Sequence, residues 1–161
     1  MRWKAAILVI ERRGDSGLED TSAQVIRELV EEELQGTVVD YRVVPSETDE
    51  VMAALIEMAD YHAADLIATI GGSESAPRDI VPEATRQVID KEVPGIAEAI
   101  RAYRLAKSPD AVWQRGIAGI RGRTLIVNLP GDPKGVHEGM TAILPQLPAG
   151  LRMISGRTEQ N

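Results

Sequence analysis

The chain has 161 residues, no cysteine, two histidines and a formal net charge of −7. Disulfides, thiolate catalysis and Cys-ligated metals are thereby excluded; His62 and His137 are too few and too far apart for a zinc site, and the negative charge argues against a general nucleic-acid binder. Hydrophobic residues make up 43% and Phe is absent, so one soluble domain over residues 1–161 with an aliphatic core is expected, without an aromatic platform for stacking bases. No run approaches about 18 apolar residues, the length that spans a bilayer. Met1-Arg2-Trp3-Lys4 leads straight into a strand-like segment without the features of a signal peptide, and a cytoplasmic protein is expected.

Ala5 to Ile10 is continuously apolar and reads as a buried parallel strand. A charged loop follows from Glu11 to Asp20, with Gly14 and Gly17. Asp20, Thr21 and Ser22 offer an N-cap, and Thr21 with Gln24 fits a capping box. Ile26, Leu29, Val30 and Leu34 fall at helical spacing, Glu31 to Glu33 form a solvated face, and Gly36 ends the helix. Thr37 to Val44 is a second strand, stopped by Pro45. Ser46 or Thr48 can cap the next helix, whose buried stripe is Met52, Leu55, Ile56 and Ala59. His62 near its end reads as a partner of the helix dipole rather than a base.

Leu66 to Ile70 is a short apolar run suited to a strand buried on both faces. Gly71-Gly72 and a polar loop follow, and Pro82 opens a short helix to Ile89. Pro94-Gly95 breaks the chain before a helix from Ile96 to about Leu105; residues 108–115 show no pattern. Ile117 to Ile120 and Thr124 to Leu129 are strands around Arg121-Gly122-Arg123, the second ending at Pro130-Gly131. A final helix from Gly135 to Leu144 precedes an irregular tail from about residue 145, marked by Pro145, Pro148 and Gly150. The alternation predicts a three-layer α/β/α fold with a mostly parallel sheet and right-handed crossovers.

Two strands end in glycine turns, at Gly71-Gly72 and at Pro130-Gly131. If both are parallel, both turns lie on one edge of the sheet, where open α/β sheets bind ligands. Glycines there bring backbone N–H groups close to an anion. That edge would hold Arg78, Asp79, Asp132 and Lys134, cations for phosphate and carboxylates for a divalent metal. Spacing alone leaves open a plain turn without a ligand, because the pattern is neither a P-loop nor GxGxxG.

Several segments in this order resemble the MogA/MoaB molybdopterin-binding proteins of molybdenum cofactor biosynthesis: EDTSAQ at Glu19–Gln24, TIGG at Thr69–Gly72, RDIVPEAT at Arg78–Thr85, KEVPG at Lys91–Gly95 with Glu98, AGIRGRTLIVNLPGDPKGV at Ala118–Val136, and ILPQL at Ile143–Leu147. The resemblance implies a three-layer α/β fold assembled as a homotrimer or hexamer. It also implies transfer of AMP from ATP, with Mg²⁺, to the terminal phosphate of molybdopterin. Gly71, Gly72 and Ser73 would form the loop that receives the pterin or its phosphate, with Arg78, Gly131, Pro133, Asp20, Ser22 and Glu98 as further binding positions. Asp79 would be the acidic catalytic residue and the contact for the metal, and Lys134 would neutralise phosphate.

Three segments depart from the family pattern. The loop usually reads Gly-Gly-Thr-Gly, and here it is Gly71-Gly72-Ser73-Glu74. Glu74 puts a carboxylate where phosphate is expected, and two like charges about 4 Å apart repel by about 4 kcal/mol at an effective dielectric of ~20. Ser46 stands where the catalytic branch has an acidic residue after the strand-ending proline, with Glu47 next. Gln114-Arg115 stands where the family has Ser-Arg. Three readings follow: an adenylyltransferase, a pterin-binding carrier that has lost adenylation, and a relative in fold alone with another ligand.

Overall fold

A computed structural model describes residues 2–11 and 18–157; Gly14 and Gly17 of the expected Glu11–Asp20 loop lie outside the described residues. Strand β1 (Trp3–Glu11) is followed by α1 (Leu18–Glu32), β2 (Gly36–Pro45), α2 (Thr48–Asp60), β3 (Leu66–Ile70), α3 (Val81–Val88), β4 (Lys91–Glu92) and α4 (Pro94–Leu105). A 3-10 turn at Pro109–Trp113 leads to β5 (Ala118–Arg121), β6 (Thr124–Leu129), α5 (Pro133–Ile143), a second 3-10 turn and α6 (Leu147–Ser155). The six strands form one sheet in the order β2-β1-β3-β6-β5-β4. β2, β1, β3 and β6 run parallel, while β5 is antiparallel to both β6 and β4.

The period-2 alternation of strands builds two cores from one sheet. On β1, Ala5, Ile7 and Val9 face one side, where Ile26 and Val30 of α1, Val136, Met140 and Ile143 of α5, and Leu147 and Leu151 of α6 close over them. Ala6, Leu8 and Ile10 face the other side, against Val51, Leu55 and Met58 of α2 and Val81, Ala84 and Val88 of α3. β3 is buried at every residue, as its unbroken apolar run requires when helices cover both faces. The three-layer expectation is met.

Several boundaries move for identifiable reasons. α1 already begins at Leu18, so Thr21 and Ser22 lie within its opening turns rather than at a cap. The left-handed residue after α1 is Gln35, φ +57°, not Gly36. Gly36 instead starts β2, in a place where a Cβ would stand 2.9 Å from both the Trp3 carbonyl and Val30 Cγ1. Glu47, without a side-chain bond, caps α2; Ser46 donates to the carbonyl of Arg78 instead. The sequence pattern gives no sign of β4: its two residues pair with β5 beside Gly119, whose missing Cβ leaves room for Ile89. The expected irregular tail is helical. Pro148 sits in the first turn of α6, where its absent N–H is no loss, and Leu147 and Leu151 are buried in the core.

Candidate site where two glycine turns meet

β3 and β6 are adjacent and parallel, paired from Leu66↔Leu125 to Ile70↔Leu129. They therefore end together, and both glycine turns leave the same edge of the sheet. Gly71 N–H donates to the carbonyl of Leu129 at 3.1 Å. A Cβ at Gly131 would lie 3.5 Å from Gly71 Cα, so the two turns touch backbone to backbone. Gly71 and Gly72 hold φ of +88° and +70°, the left-handed region open to glycine. A Cβ on Gly72 would stand 2.5 Å from Val81 Cγ2.

Hydroxyls fasten this junction from two sides. Ser73 Oγ donates to the Leu129 carbonyl at 3.2 Å, and Ser22 Oγ, from α1, donates to the Gly131 carbonyl at 2.7 Å. Both serines are buried. Beneath the turns runs a buried polar chain: Asn128 Nδ2 donates to Thr69 Oγ1 and Thr85 Oγ1, and its Oδ1 accepts from Ile117 N–H.

The loop after Gly72 is held by Arg115. Its backbone N–H donates to the Ser73 carbonyl at 2.8 Å. Its guanidinium donates to the carbonyls of Glu74 and Asp79, both at 2.7 Å, and makes a two-pronged contact with Glu83 at 2.9 Å on each oxygen. The Glu83 carboxyl is held below its ordinary value, chiefly by the Arg115 hydrogen bond. Ser75 Oγ donates to the Trp113 carbonyl at 2.7 Å. Loop and 3-10 turn thus form one rim, on which Trp113 is 65% exposed.

Such a rim lies beyond the carboxyl ends of paired parallel strands, where open α/β sheets bind their ligands. Comparison with known proteins agrees in kind. Residues 6–149 match the family described as "Probable molybdopterin binding domain". The chain belongs to this molybdopterin-binding family. A "Molybdopterin adenylyltransferase" of Helicobacter pylori (strain J99) is 38% identical over 156 residues, 96% of this chain and 89% of that protein. The solved molybdopterin biosynthesis enzyme MoaB of Thermus thermophilus superposes with a TM-score of 0.88 at 44% identity, covering 96% of this chain and 98% of that one. The molybdopterin biosynthesis Mog protein of Mycobacterium ulcerans follows at 0.85 and 34%, covering 98% and 99%.

Within this molybdopterin-binding fold the sequence-derived positions divide. Gly71, Gly72, Ser73, Gly131 and Ser22 come together at the junction. Asp79 is 9% exposed, and its Oδ2 accepts from the Ala76 N–H of its own loop at 2.8 Å. Arg78 is exposed, its carbonyl bonded by Ser46. Asp20 accepts from the Tyr41 hydroxyl of β2 at 3.1 Å, and Glu98 lies on the exposed side of α4. Asp132 caps α5 through Gly135 N–H at 3.0 Å, with Pro133 in its first turn. Lys134 lines a separate hollow with Tyr103, Lys107, His137 and Glu138.

Two of the family departures meet. Gln114 Nε2 donates to Glu74 Oε1 at 2.9 Å, which draws that carboxylate toward the 3-10 turn. The residues that sequence reasoning missed are Arg115 as the clamp and Asn128 as the buried support. A polar residue inside the apolar run Thr124–Leu129 was the available signal for Asn128. Arg115 carried none beyond its place in Gln114-Arg115, because its partners lie 32 to 42 positions away.

Proposed function

We propose that this protein acts in molybdenum cofactor biosynthesis, binding molybdopterin at the joined glycine turns and transferring AMP to its terminal phosphate from Mg-ATP. The observation that carries this reading is the backbone contact of Gly71 with Gly131 at the ends of β3 and β6. An oxygen of the pterin phosphate attacks the α-phosphorus of ATP. The new P–O bond forms as the bond to the bridging α–β oxygen breaks, and pyrophosphate leaves. Phosphoryl chemistry of this kind rests on positioning and charge.

Gly71, Gly72 and Ser73 would receive the ligand, with Arg78, Gly131 and Pro133 beside them; Asp20, Ser22 and Glu98 complete the proposed set. Ser22 acts from behind, by fixing the Gly131 carbonyl. Among the described residues no three His, Asp or Glu side chains gather as a metal cage. Mg²⁺ would enter with the nucleotide substrate and neutralise phosphate charge there, and Asp79 is the residue that would hold it. Lys134 would neutralise phosphate. The proposed working form is a homotrimer or hexamer in the cytoplasm; no described helix is long and apolar enough to cross a membrane.

A second reading, a carrier that binds the pterin without adenylating it, is favoured by one observation: Asp79 already spends one carboxylate oxygen on its own loop. Incubation with Mg-ATP and molybdopterin decides between them. Pyrophosphate release above a heat-treated control is expected for the enzyme. Absence of release, with a melting shift by molybdopterin but none by Mg-ATP, would establish the carrier instead.

A further inference from the structure

The hollow between α4 and α5 measures about 470 Å³ and is lined by Tyr103, Lys107, Lys134, His137 and Glu138. Three of these five side chains are basic, on a chain whose net charge is −7. The Lys107 ammonium lies 5.1 Å from the centre of the Tyr103 ring. None of Gly71, Gly72, Ser73 or Asp79 reaches this lining.

Behind the hollow lies a buried pair. Arg104 is 8% exposed and Glu138 is 6% exposed. Their Nε and Oε1 stand 3.8 Å apart, beyond hydrogen-bond length. Nε and Nη1 of Arg104 and Oε2 of Glu138 have no hydrogen-bond partner. The guanidinium is wedged under the first turn of α5, where a Cβ on Gly135 would come within 3.0 Å of Nη2. Buried charges are ordinarily satisfied on every donor. Arg104 is not itself in the lining; it lies beneath Glu138 with unused donors, while two lysines make the hollow basic. Glu138 offsets the Arg104 charge and Asp132 is engaged in capping α5, so the lysines set the sign.

We propose that the α4–α5 hollow is a second binding site, for a phosphate group, distinct from the glycine turns. The group belongs either to free phosphate or to a phosphorylated nucleotide. Lys134 is the one residue shared with the glycine-turn reading; the proposal otherwise stands apart from it.

The chain holds two histidines, one of which lines the hollow. The other, His62, sits among Asp40, Arg42 and Glu57 beside β2 and α2 and serves as an internal control. Inorganic phosphate titrated into the full chain, against chloride of equal ionic strength, should move the His137 ring resonances saturably and leave His62 still. Lys107→Ala should weaken that binding about five- to tenfold, the effect of removing one charge-assisted contact. Glu138→Gln should strengthen it a few-fold by removing the negative lining group; should that variant not fold, Lys107→Ala decides. ATP displacing phosphate at lower concentration would assign the site to a nucleotide, and failure to displace it would assign it to free phosphate. No His137 movement beyond chloride, equal movement of both histidines, or an unchanged affinity in Lys107→Ala overturns the proposal. Gly72→Val should abolish pterin binding yet leave the His137 response, which separates the two sites.

Discussion

Gly72 and Gly71 adjoin, both at positive φ, yet substitution should affect them unequally. A Cβ at Gly72 meets Val81 Cγ2 at 2.5 Å, whereas the nearest atom to one at Gly71 is the Ile10 carbonyl oxygen at 3.4 Å. Gly71→Ala then carries only left-handed strain, about 1–2 kcal/mol. Gly72→Val adds a steric clash in a packed core and should lose about 2–4 kcal/mol, read as the larger drop in melting temperature. Arg115 makes a different prediction. Lysine cannot span two carbonyls and a carboxylate at once. Arg115→Lys should therefore leave the fold intact, loosen residues 73–83, and weaken pterin binding by about tenfold, measured by titration. A melting temperature that collapsed with the affinity would show the clamp to be part of the core instead.

At the scale of elements, α6 carries the clearest test. Leu151 is buried against the sheet face that also packs α1 and α5. Leu151→Ala should destabilise by about 2–4 kcal/mol, the range for a buried leucine cut to alanine, measured by denaturant unfolding. A loss under about 0.5 kcal/mol, typical of exposed sites, would return residues after 145 to the status of an irregular tail. β4 exists because Gly119 admits Ile89 and the Lys91 carbonyl within 2.9 Å of where a Cβ would be. The strand is two residues long and depends on that one vacancy, so propensity along its own sequence could not announce it.

Across the whole molecule, ion pairs tie separate elements together and set the response to acid. Arg121 of β5 grips Asp60 of α2 at 2.8 Å, Arg115 grips Glu83, and Arg42 of β2 grips Glu57 of α2 at 2.8 Å. Each carboxyl is held below its ordinary value, first by the hydrogen bond from its arginine. A depressed carboxyl stabilises the fold above its unfolded pKa and loses that contribution as pH falls through the folded one. Melting temperature should therefore stay level from pH 8 to about 5 and fall below about pH 4. Because these pairs are partly exposed, 1 M salt should flatten the acid fall; a fall unchanged by salt would locate its origin elsewhere.

Much of this architecture was legible before any coordinates. Short apolar runs marked β1 and β3 as buried strands, Thr124 to Leu129 read as a strand, and helical spacing marked α1 and α2, because those patterns are local and repeat with the period of the backbone. Gly71-Gly72 and Pro130-Gly131 were legible for the same reason, as punctuation after strands. Pairing of Gln114 with Glu74, of Arg115 with Ser73 and of Ser22 with Gly131 was not. Those partners lie 40, 42 and 109 positions apart, and only the order of strands in the sheet brings them together. Asp79 and Lys134 illustrate the division: their residue types told what chemistry each can do, while the folded chain decided that one turns into its own loop and the other lines the α4–α5 hollow. Sequence alone set the long elements and their alternation, since these answer to neighbours along the chain; β4, α6 and the aim of each polar side chain waited on packing, since they answer to neighbours in space.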